Sequence, residues 1–108
     1  MDSKNEPLEV KFTEECIEEI TEIYEYISNN LKVNNAAKRL MTEVTNKVLE
    51  LANRPEIYMK IGKTDRLKKE YHRMVVKNYV ILYTIDFEKR KIYISHMIYG
   101  RKNYLNLY

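Results

Sequence analysis

The chain has 108 residues, of which 44% are hydrophobic and 11% aromatic, with a single cysteine. This length suits one domain over residues 1–108 with a modest core, and the composition excludes a disordered chain. No run reaches the ~18 apolar residues of a membrane span, and the first residues lack the apolar segment of a secretory signal. One cysteine also excludes an internal disulfide, so we expect a cytoplasmic protein with no membrane contact.

Charge is distributed unevenly along the sequence. Residues 1–30 hold nine acidic and two basic residues, whereas residues 31–108 hold seven acidic and seventeen basic residues, so the formal charge of +3 combines −7 with +10. A basic second part attracts polyanions or an acidic partner. The alternative, which stays open at this point, is an acidic helix face that only balances the rest of the surface.

The first predicted elements are one strand and two helices. In the segment "LEVKF", Leu8, Val10 and Phe12 alternate with charged residues, as in a short strand. Thr13 suits a helix N-cap, and the glutamates behind it suit a helix N-terminus. Proline at position 55 ends the second helix, because the residue before proline is pushed out of the helical region. The apolar positions of the two helices recur every three or four residues, at Ile17, Ile20, Tyr24, Ile27 and Leu31 and at Ala37, Leu40, Met41, Val44, Val48 and Leu51.

The remainder of the chain is predicted to form a sheet. Residues 56–69 are a basic loop, and "EYHRMVVKNYVILYTID" predicts two strands joined at Lys77-Asn78, where Asn78 tolerates a positive φ. The segment "KIYISHMIYG" predicts a third strand. The predicted fold is α+β, in the order β-α-α-β-β-β, with the two helices on one face of a small antiparallel sheet. The side chains on both faces of the middle strand are apolar. The face of the sheet that the helices leave open therefore needs a cover from the chain's own loops or from a partner.

The chemistry that the sequence offers is that of cations and tyrosines. No spacing indicates a metal site, a phosphate-binding loop or a serine nucleophile, and we expect no cofactor. Residues 54–108 instead hold thirteen Lys and Arg against five acidic residues. Fixed cations stabilise the charge that develops on a phosphate, and tyrosines stack bases. Because RNA supplies its own 2′-hydroxyl nucleophile, such a set is compatible with a metal-free ribonuclease.

Three residues stand out as candidates, each beside a plainer interpretation. Arg73 lies in a predicted strand. The alternative to a catalytic role is a structural ion pair with a glutamate across the sheet. Arg101 directly follows Gly100 at the end of the last strand, which fixes it near the edge of the sheet. His96 is expected on the same face of its strand as apolar neighbours, which favours a packed, neutral histidine over a catalytic one. Those neighbours are Ile92, Ile94 and Ile98.

Four segments in order resemble the toxins of the RelE/ParE superfamily, the growth-inhibiting halves of bacterial type II toxin–antitoxin modules. "VKFTEECIEEITEIYEYI" is similar to the family's first strand and helix, and "AAKRLMTEVTNKVLELANRPE" to its second helix. "YHRMVVKNYVILYTID" is similar to the central hairpin, and "HMIYGRKNYL" to the last strand. Together these segments span nearly the whole chain.

The resemblance implies a toxin that a cognate antitoxin neutralises by wrapping its helices and sheet, and that contacts operator DNA only through that antitoxin. It also implies one of two targets. RelE-like members cleave mRNA on the ribosome without a metal, whereas ParE-like members inhibit DNA gyrase and are not nucleases. A non-toxic homologue that only binds an antitoxin or serves autoregulation is a third alternative.

On this resemblance, the first hypothesis is ribosome-dependent, metal-independent mRNA cleavage, with DNA gyrase inhibition as the alternative. Val80 stands where the ribonuclease pattern has an arginine, and this departure, together with the ParE-like helices, favours gyrase. The implied catalytic set is Arg73, Arg101, His96 and Tyr104. The residues expected to bind RNA or another target are Lys60, Lys63, Arg66, Lys68, Lys69, His72, Lys77, Tyr99, Lys102 and Tyr108.

Overall fold

The computed structural model describes residues 6–30, 35–61 and 69–100, which form two helices and a five-stranded sheet. Neither of the helices in these ranges is long and apolar enough to cross a membrane. The elements are β1 (Glu9–Phe12), α1 (Glu14–Asn30), α2 (Ala36–Asn53), β2 (Lys60–Ile61), β3 (Tyr71–Val76), β4 (Tyr79–Asp86) and β5 (Lys91–Tyr99).

The sheet is mixed, with the strand order β1-β5-β4-β3-β2. The α+β class and the predicted order of the main elements are confirmed, but the prediction of a wholly antiparallel sheet was wrong, because β1 pairs parallel with β5. Strands whose connection includes helices are free to pair in parallel, whereas a tight hairpin permits only antiparallel pairing. The short β2 also lies inside the predicted loop 56–69, and its Lys60 pairs with His72. Two residues are too few to show an alternating pattern.

Thr13 joins the start of α1 to β5. Its Oγ1 accepts a hydrogen bond from the backbone N–H of Cys16 at 3.2 Å, which confirms the predicted N-cap. The backbone N–H of Thr13 donates to the carbonyl of Ile94 at 3.0 Å, and Oγ1 donates to the carbonyl of Ser95 at 3.2 Å. One residue therefore satisfies the helix terminus and fixes its position on the sheet.

The main core lies between the helices and one face of the sheet. Tyr83 of β4 is fully buried there, and its hydroxyl donates to the carbonyl of Pro55 at 2.9 Å, just beyond α2. Each large apolar side chain buried in such a core contributes roughly 1.5–3 kcal/mol. Other residues of this cluster are Cys16, Leu40, Val44, Leu51, Met74, Ile81, Ile92, Ile94 and Met97.

The opposite face of the sheet, called the open face below, has a small apolar cluster of its own. Val80 and Leu82 are 0% exposed and Ile61 is 5% exposed in the isolated chain, and Tyr71 and Val75 pack against them. The centre of this face is therefore covered without a partner. The apolar side chains on both faces of β4 correctly indicated a strand that is buried on both faces.

The β3–β4 turn lies at Lys77-Asn78, as predicted, but the left-handed residue is Lys77, with a φ of 53°. Asn78 keeps an ordinary φ, and its carbonyl accepts a hydrogen bond from the N–H of Gly100 at 2.6 Å. Gly100 has a φ of 89°, where a side chain would be unfavourable. The turn and the end of β5 are thus held together.

Candidate functional site

A β-bulge in β5 determines which residues reach the open face. Tyr83 pairs with Ile94 and Leu82 pairs with His96, so Ser95 between them has no partner on β4. One extra residue reverses the side-chain alternation beyond it. Ile94 therefore belongs to the main core, whereas His96 lies opposite Leu82 of the open-face cluster. The prediction that His96 shares a face with Ile92 and Ile94 was wrong for this reason.

The bulge places His96 and Arg73 in one row across the open face. Arg73 pairs with Leu82, and Leu82 pairs with His96, on three adjacent strands. Neighbouring strands lie about 4.8 Å apart, so the two Cα atoms are separated by about 10 Å. Both side chains are partly buried. This row contains the two residues of the predicted catalytic set that the structure describes.

Glu19 of α1 binds the same segment of β5 from the side. One oxygen, Oε2, lies 3.2 Å from Nδ1 of His96, and the other, Oε1, accepts the backbone N–H of Met97 at 3.0 Å. β1 ends at Phe12, so this part of β5 has no strand beside it, and the carboxylate satisfies an edge donor. The two side chains are only 19% (His96) and 34% (Glu19) exposed.

The charge state of His96 follows from this contact. The hydrogen bond to Glu19 raises the pKa of His96 above its usual value, against the lowering effect of burial, and the charges of Glu19 and Glu15 act in the same direction as the bond. The plain prediction of a neutral, packed histidine therefore does not describe this residue, because a carboxylate favours its protonated form.

The sequence pattern, which indicates only an acidic face on the first helix, does not indicate this role of Glu19. The contact joins residues 77 positions apart, which no local pattern reveals. One signal was available: Glu19 lies one helical turn from both Cys16 and Ile23, which belong to the apolar stripe of α1. A glutamate at the border of a buried stripe is a candidate for an inward contact.

Val80 occupies the position where the ribonuclease pattern carries an arginine. It is 0% exposed, and it pairs with Val75 on one side and with Ile98 on the other. The row beside Arg73 and His96 is thus wholly apolar. This part of the open face presents no cation toward a phosphate.

The other predicted binding residues that the structure describes do not converge with Arg73 and His96. His72 is buried on the helix side of the sheet and stacks on Tyr83, with ring centroids 5.1 Å apart. Lys60 pairs with Glu70 at 3.1 Å. The remaining members are Lys69, which is exposed, Lys77, whose Nζ lies 3.8 Å from Glu43, and Tyr99, whose ring meets that of Tyr79 edge-on at 5.3 Å.

The last eight residues and part of the basic loop lie outside the described residues. Two members of the predicted catalytic set and five predicted binding residues fall there, and their roles stay predictions. They are Arg101, Tyr104, Lys63, Arg66, Lys68, Lys102 and Tyr108.

A groove of about 890 Å³ runs between α1, the start of α2, the β3–β4 turn and the end of β5. Tyr26 and Tyr99 line it, and each is 62% exposed, while Glu19 and Lys77 supply charge. Exposed aromatic side chains beside an open groove are typical of protein-binding surfaces. Within residues 6–30, 35–61 and 69–100, no three His, Cys, Asp or Glu residues are grouped to hold a metal ion.

A solved structure has a fold similar to this one. The fold is similar to a solved structure titled "Chromosomal ParDE TA system from P. aeruginosa", with a TM-score of 0.67 over 92% of this chain and 100% of that chain. The sequences are 12% identical, so this likeness shows the fold alone. It is the fold of RelE/ParE superfamily toxins.

The family follows from the sequence. The model of the "ParE toxin of type II toxin-antitoxin system, parDE" matches residues 10–104. No curated protein matches the sequence significantly. The chain belongs to the ParE toxin family of type II toxin–antitoxin systems.

Proposed function

We propose that this chain is a toxin that arrests growth by inhibiting DNA gyrase without cleaving nucleic acid itself. The observation that carries the proposal is the match to the ParE toxin family over residues 10–104. The sequence alone had favoured mRNA cleavage, with gyrase inhibition as the alternative, and this proposal reverses that preference.

The open face supports the same choice of target. Val80 is fully buried in an apolar cluster at the position where the ribonuclease pattern needs a cation. Nδ1 of His96 is bound to Glu19, so only its other ring nitrogen remains for proton transfer. A phosphate-cleaving site requires several donors directed at one phosphate.

A supercoiling assay with purified gyrase and purified toxin tests the proposal. We expect supercoiling to be inhibited and DNA breaks to accumulate as the toxin is added, while an mRNA in a parallel translation reaction stays intact. Toxin mixed beforehand with its antitoxin is the control and should leave gyrase active. Gyrase activity unchanged over a wide range of toxin concentration would overturn the assignment.

Cleavage of mRNA on the ribosome remains the second candidate, because Arg73 and His96 share one row of the open face. Primer extension on a reporter mRNA in a reconstituted translation reaction separates it from gyrase inhibition. Discrete cuts at codon boundaries, seen only with translating ribosomes, would establish cleavage. In that case Arg101→Ala should abolish toxicity with the fold intact, and Lys38→Ala, an exposed change on α2, should not.

We also propose that the cognate antitoxin binds in the groove between α1 and the end of β5. The exposed rings of Tyr26 and Tyr99 offer apolar area to a bound segment. Such a segment would cover the edge of β5 that extends beyond β1. This part of β5 directly precedes the predicted functional residues 101–108 in the sequence.

A further inference from the structure

A second cavity, of about 680 Å³, lies at the end of the sheet where β3 begins and β4 ends. This polar cavity has the volume of a typical small-ligand site. Its described lining carries four carboxylates against two ammonium groups, a net charge of −2. The charged residues are Glu56, Glu70, Asp86, Glu88, Lys60 and Lys69.

His72 lines the polar cavity, and one of its nitrogens has no partner among the described residues. Its side chain is buried against Tyr83, the residue is 8% exposed, and its Nδ1 makes no hydrogen bond within residues 6–30, 35–61 and 69–100. Buried polar atoms are nearly always satisfied in native proteins, so such an atom requires an explanation. The charges that act on the imidazole belong to Lys60, Glu56 and Glu70, all residues of the same cavity. His72 therefore belongs to the lining of this site, together with the charges that act on it.

Burial and the charge of Lys60 lower the pKa of His72, against the smaller raising effect of Glu56 and Glu70, and so favour the neutral imidazole. A neutral imidazole with its proton on Nε2 presents Nδ1 as an acceptor. In that tautomer, the group that satisfies Nδ1 is a hydrogen-bond donor.

The charge of the polar cavity selects a cation. The 3.1 Å ion pair between Lys60 and Glu70 neutralises one carboxylate and one ammonium group. In the described part of the chain, Glu56, Asp86 and Glu88 form no ion pair with a basic side chain. Close carboxylates repel phosphate and attract a cation, most strongly where water is partly excluded.

We propose that the polar cavity binds a guanidinium group, with its carboxylates as counter-ions and Nδ1 of His72 as an additional acceptor. A guanidinium fits better than an ammonium because its planar set of five N–H donors serves a carboxylate and a neighbouring imidazole together. The group is supplied by an arginine side chain of a partner protein or by free arginine. This assignment is independent of the toxin's target, and it gives Lys60, Lys69 and His72 a ligand other than RNA.

NMR titration of the full chain with ¹⁵N-labelled histidine tests the proposal. L-arginine amide should shift the His72 Nδ1 resonance saturably at constant ionic strength, whereas sodium phosphate should not. A saturable shift with phosphate, or none with arginine amide, would overturn it. A capped arginine peptide distinguishes the sources: tighter binding than arginine amide identifies a protein side chain, and weaker binding identifies the free molecule.

Substitutions that keep the protein folded distinguish a loss of ligand binding from a loss of structure. His72→Phe retains a ring to stack on Tyr83 and removes Nδ1, so the protein should stay folded and lose the saturable shifts of the backbone amides around Asp86. Glu56→Gln with Glu88→Gln should weaken binding roughly ten-fold or more. Glu18→Gln with Glu25→Gln makes the same charge change on exposed positions of α1 outside the cavity. Equal weakening by both pairs would mean bulk charge and would contradict a built site.

Discussion

At the scale of single residues, Glu19 connects the helical layer to the sheet. Its two oxygens bind the ring of His96 and the backbone of Met97, at 3.2 and 3.0 Å. Hydrogen bonds to a charged group contribute roughly 1.5–3 kcal/mol when they are partly buried. The end of β5, which leads to the predicted working residues, therefore depends on one carboxylate of α1.

The first prediction concerns the pH dependence of stability. Because Glu19 raises the pKa of His96, the protonated pair stabilises the fold fully below the unfolded histidine pKa of about 6.5, and this stabilisation is lost as the pH rises through the higher folded value. Glu15 and Tyr71 are the other titratable groups beside the ring. His72, whose pKa is lowered, changes stability in the opposite direction below about pH 6.5. Denaturant unfolding at a series of pH values from 6.5 to 8 should therefore show the fall that belongs to His96.

Glu19→Gln keeps a hydrogen-bonding group but removes the charge, so the fall in unfolding free energy across this window should become shallower. Glu18→Gln, an exposed change on the same helix, is the matched control and should keep the wild-type slope. Identical slopes in the wild type and Glu19→Gln would show that the pair is not linked to folding.

The second prediction concerns the cation that Val80 replaces. Val80→Arg would bury an unpaired charge where the side chain is 0% exposed, and we expect it to lower the unfolding free energy by about 3–5 kcal/mol. Val75→Arg, on the paired position of β3, should cost less because Val75 is partly exposed. Denaturant unfolding and primer extension measure both effects. A stable Val80→Arg variant that gains mRNA cleavage would contradict the arrangement described for the open face.

At the scale of elements, the start of α1 provides the third prediction. Thr13→Ala removes the N-cap acceptor and the bond to the carbonyl of Ser95, and should cost about 1–2 kcal/mol. Thr21→Ala is the control, since its hydroxyl only bonds back to the carbonyl of Ile17 on an exposed face and its loss should be nearly neutral. Thermal unfolding compares them. Equal losses would mean that the cap contributes nothing beyond helix propensity.

The elements that local patterns govern were predicted well. The apolar stripe of α2, the Thr13 cap, the end of α2 before Pro55 and the turn at Lys77 all depend on residues close in sequence. The stripe of α1 was predicted less well, because Ile17 is 51% exposed and Cys16 is buried in its place. The direction of β1, the two-residue β2 and the bulge at Ser95 depend on pairing between distant segments. Neither residue periodicity nor turn chemistry contains that information.

The candidate site was less predictable than the fold, and for the same reason. Treating His96 as a core residue assumed an unbroken alternation along β5, and one unpaired residue reversed it. Charge and residue type group Lys60, His72 and Lys77, but the sheet places Lys77 at the groove beside β5 and the other two at the polar cavity. Residue types indicated the chemistry available, whereas its spatial grouping depended on register.

At the scale of the whole molecule, the helical layer and the sheet meet along the groove beside β5. Glu19 lies in its wall, Lys77 and Asn78 bring the β3–β4 turn to it, and the N–H of Gly100 binds that turn at 2.6 Å. A segment bound in the groove would therefore contact the helices, the turn and the end of β5 together. Because these parts are adjacent, one bound segment is long enough to cover all of them.

The last prediction tests this surface. Tyr26→Ala should leave the fold and the toxicity intact, because the side chain is 62% exposed, but it should weaken antitoxin binding by about 2 kcal/mol, or roughly 30-fold, as a buried aromatic anchor does. Leu49→Ala removes a similarly exposed apolar side chain of α2 outside the groove and should leave the affinity unchanged. Calorimetry with purified antitoxin measures the affinity, and co-expression in cells measures rescue. If both variants bind like the wild type, the antitoxin uses another surface, and the groove between α1 and β5 loses its assignment.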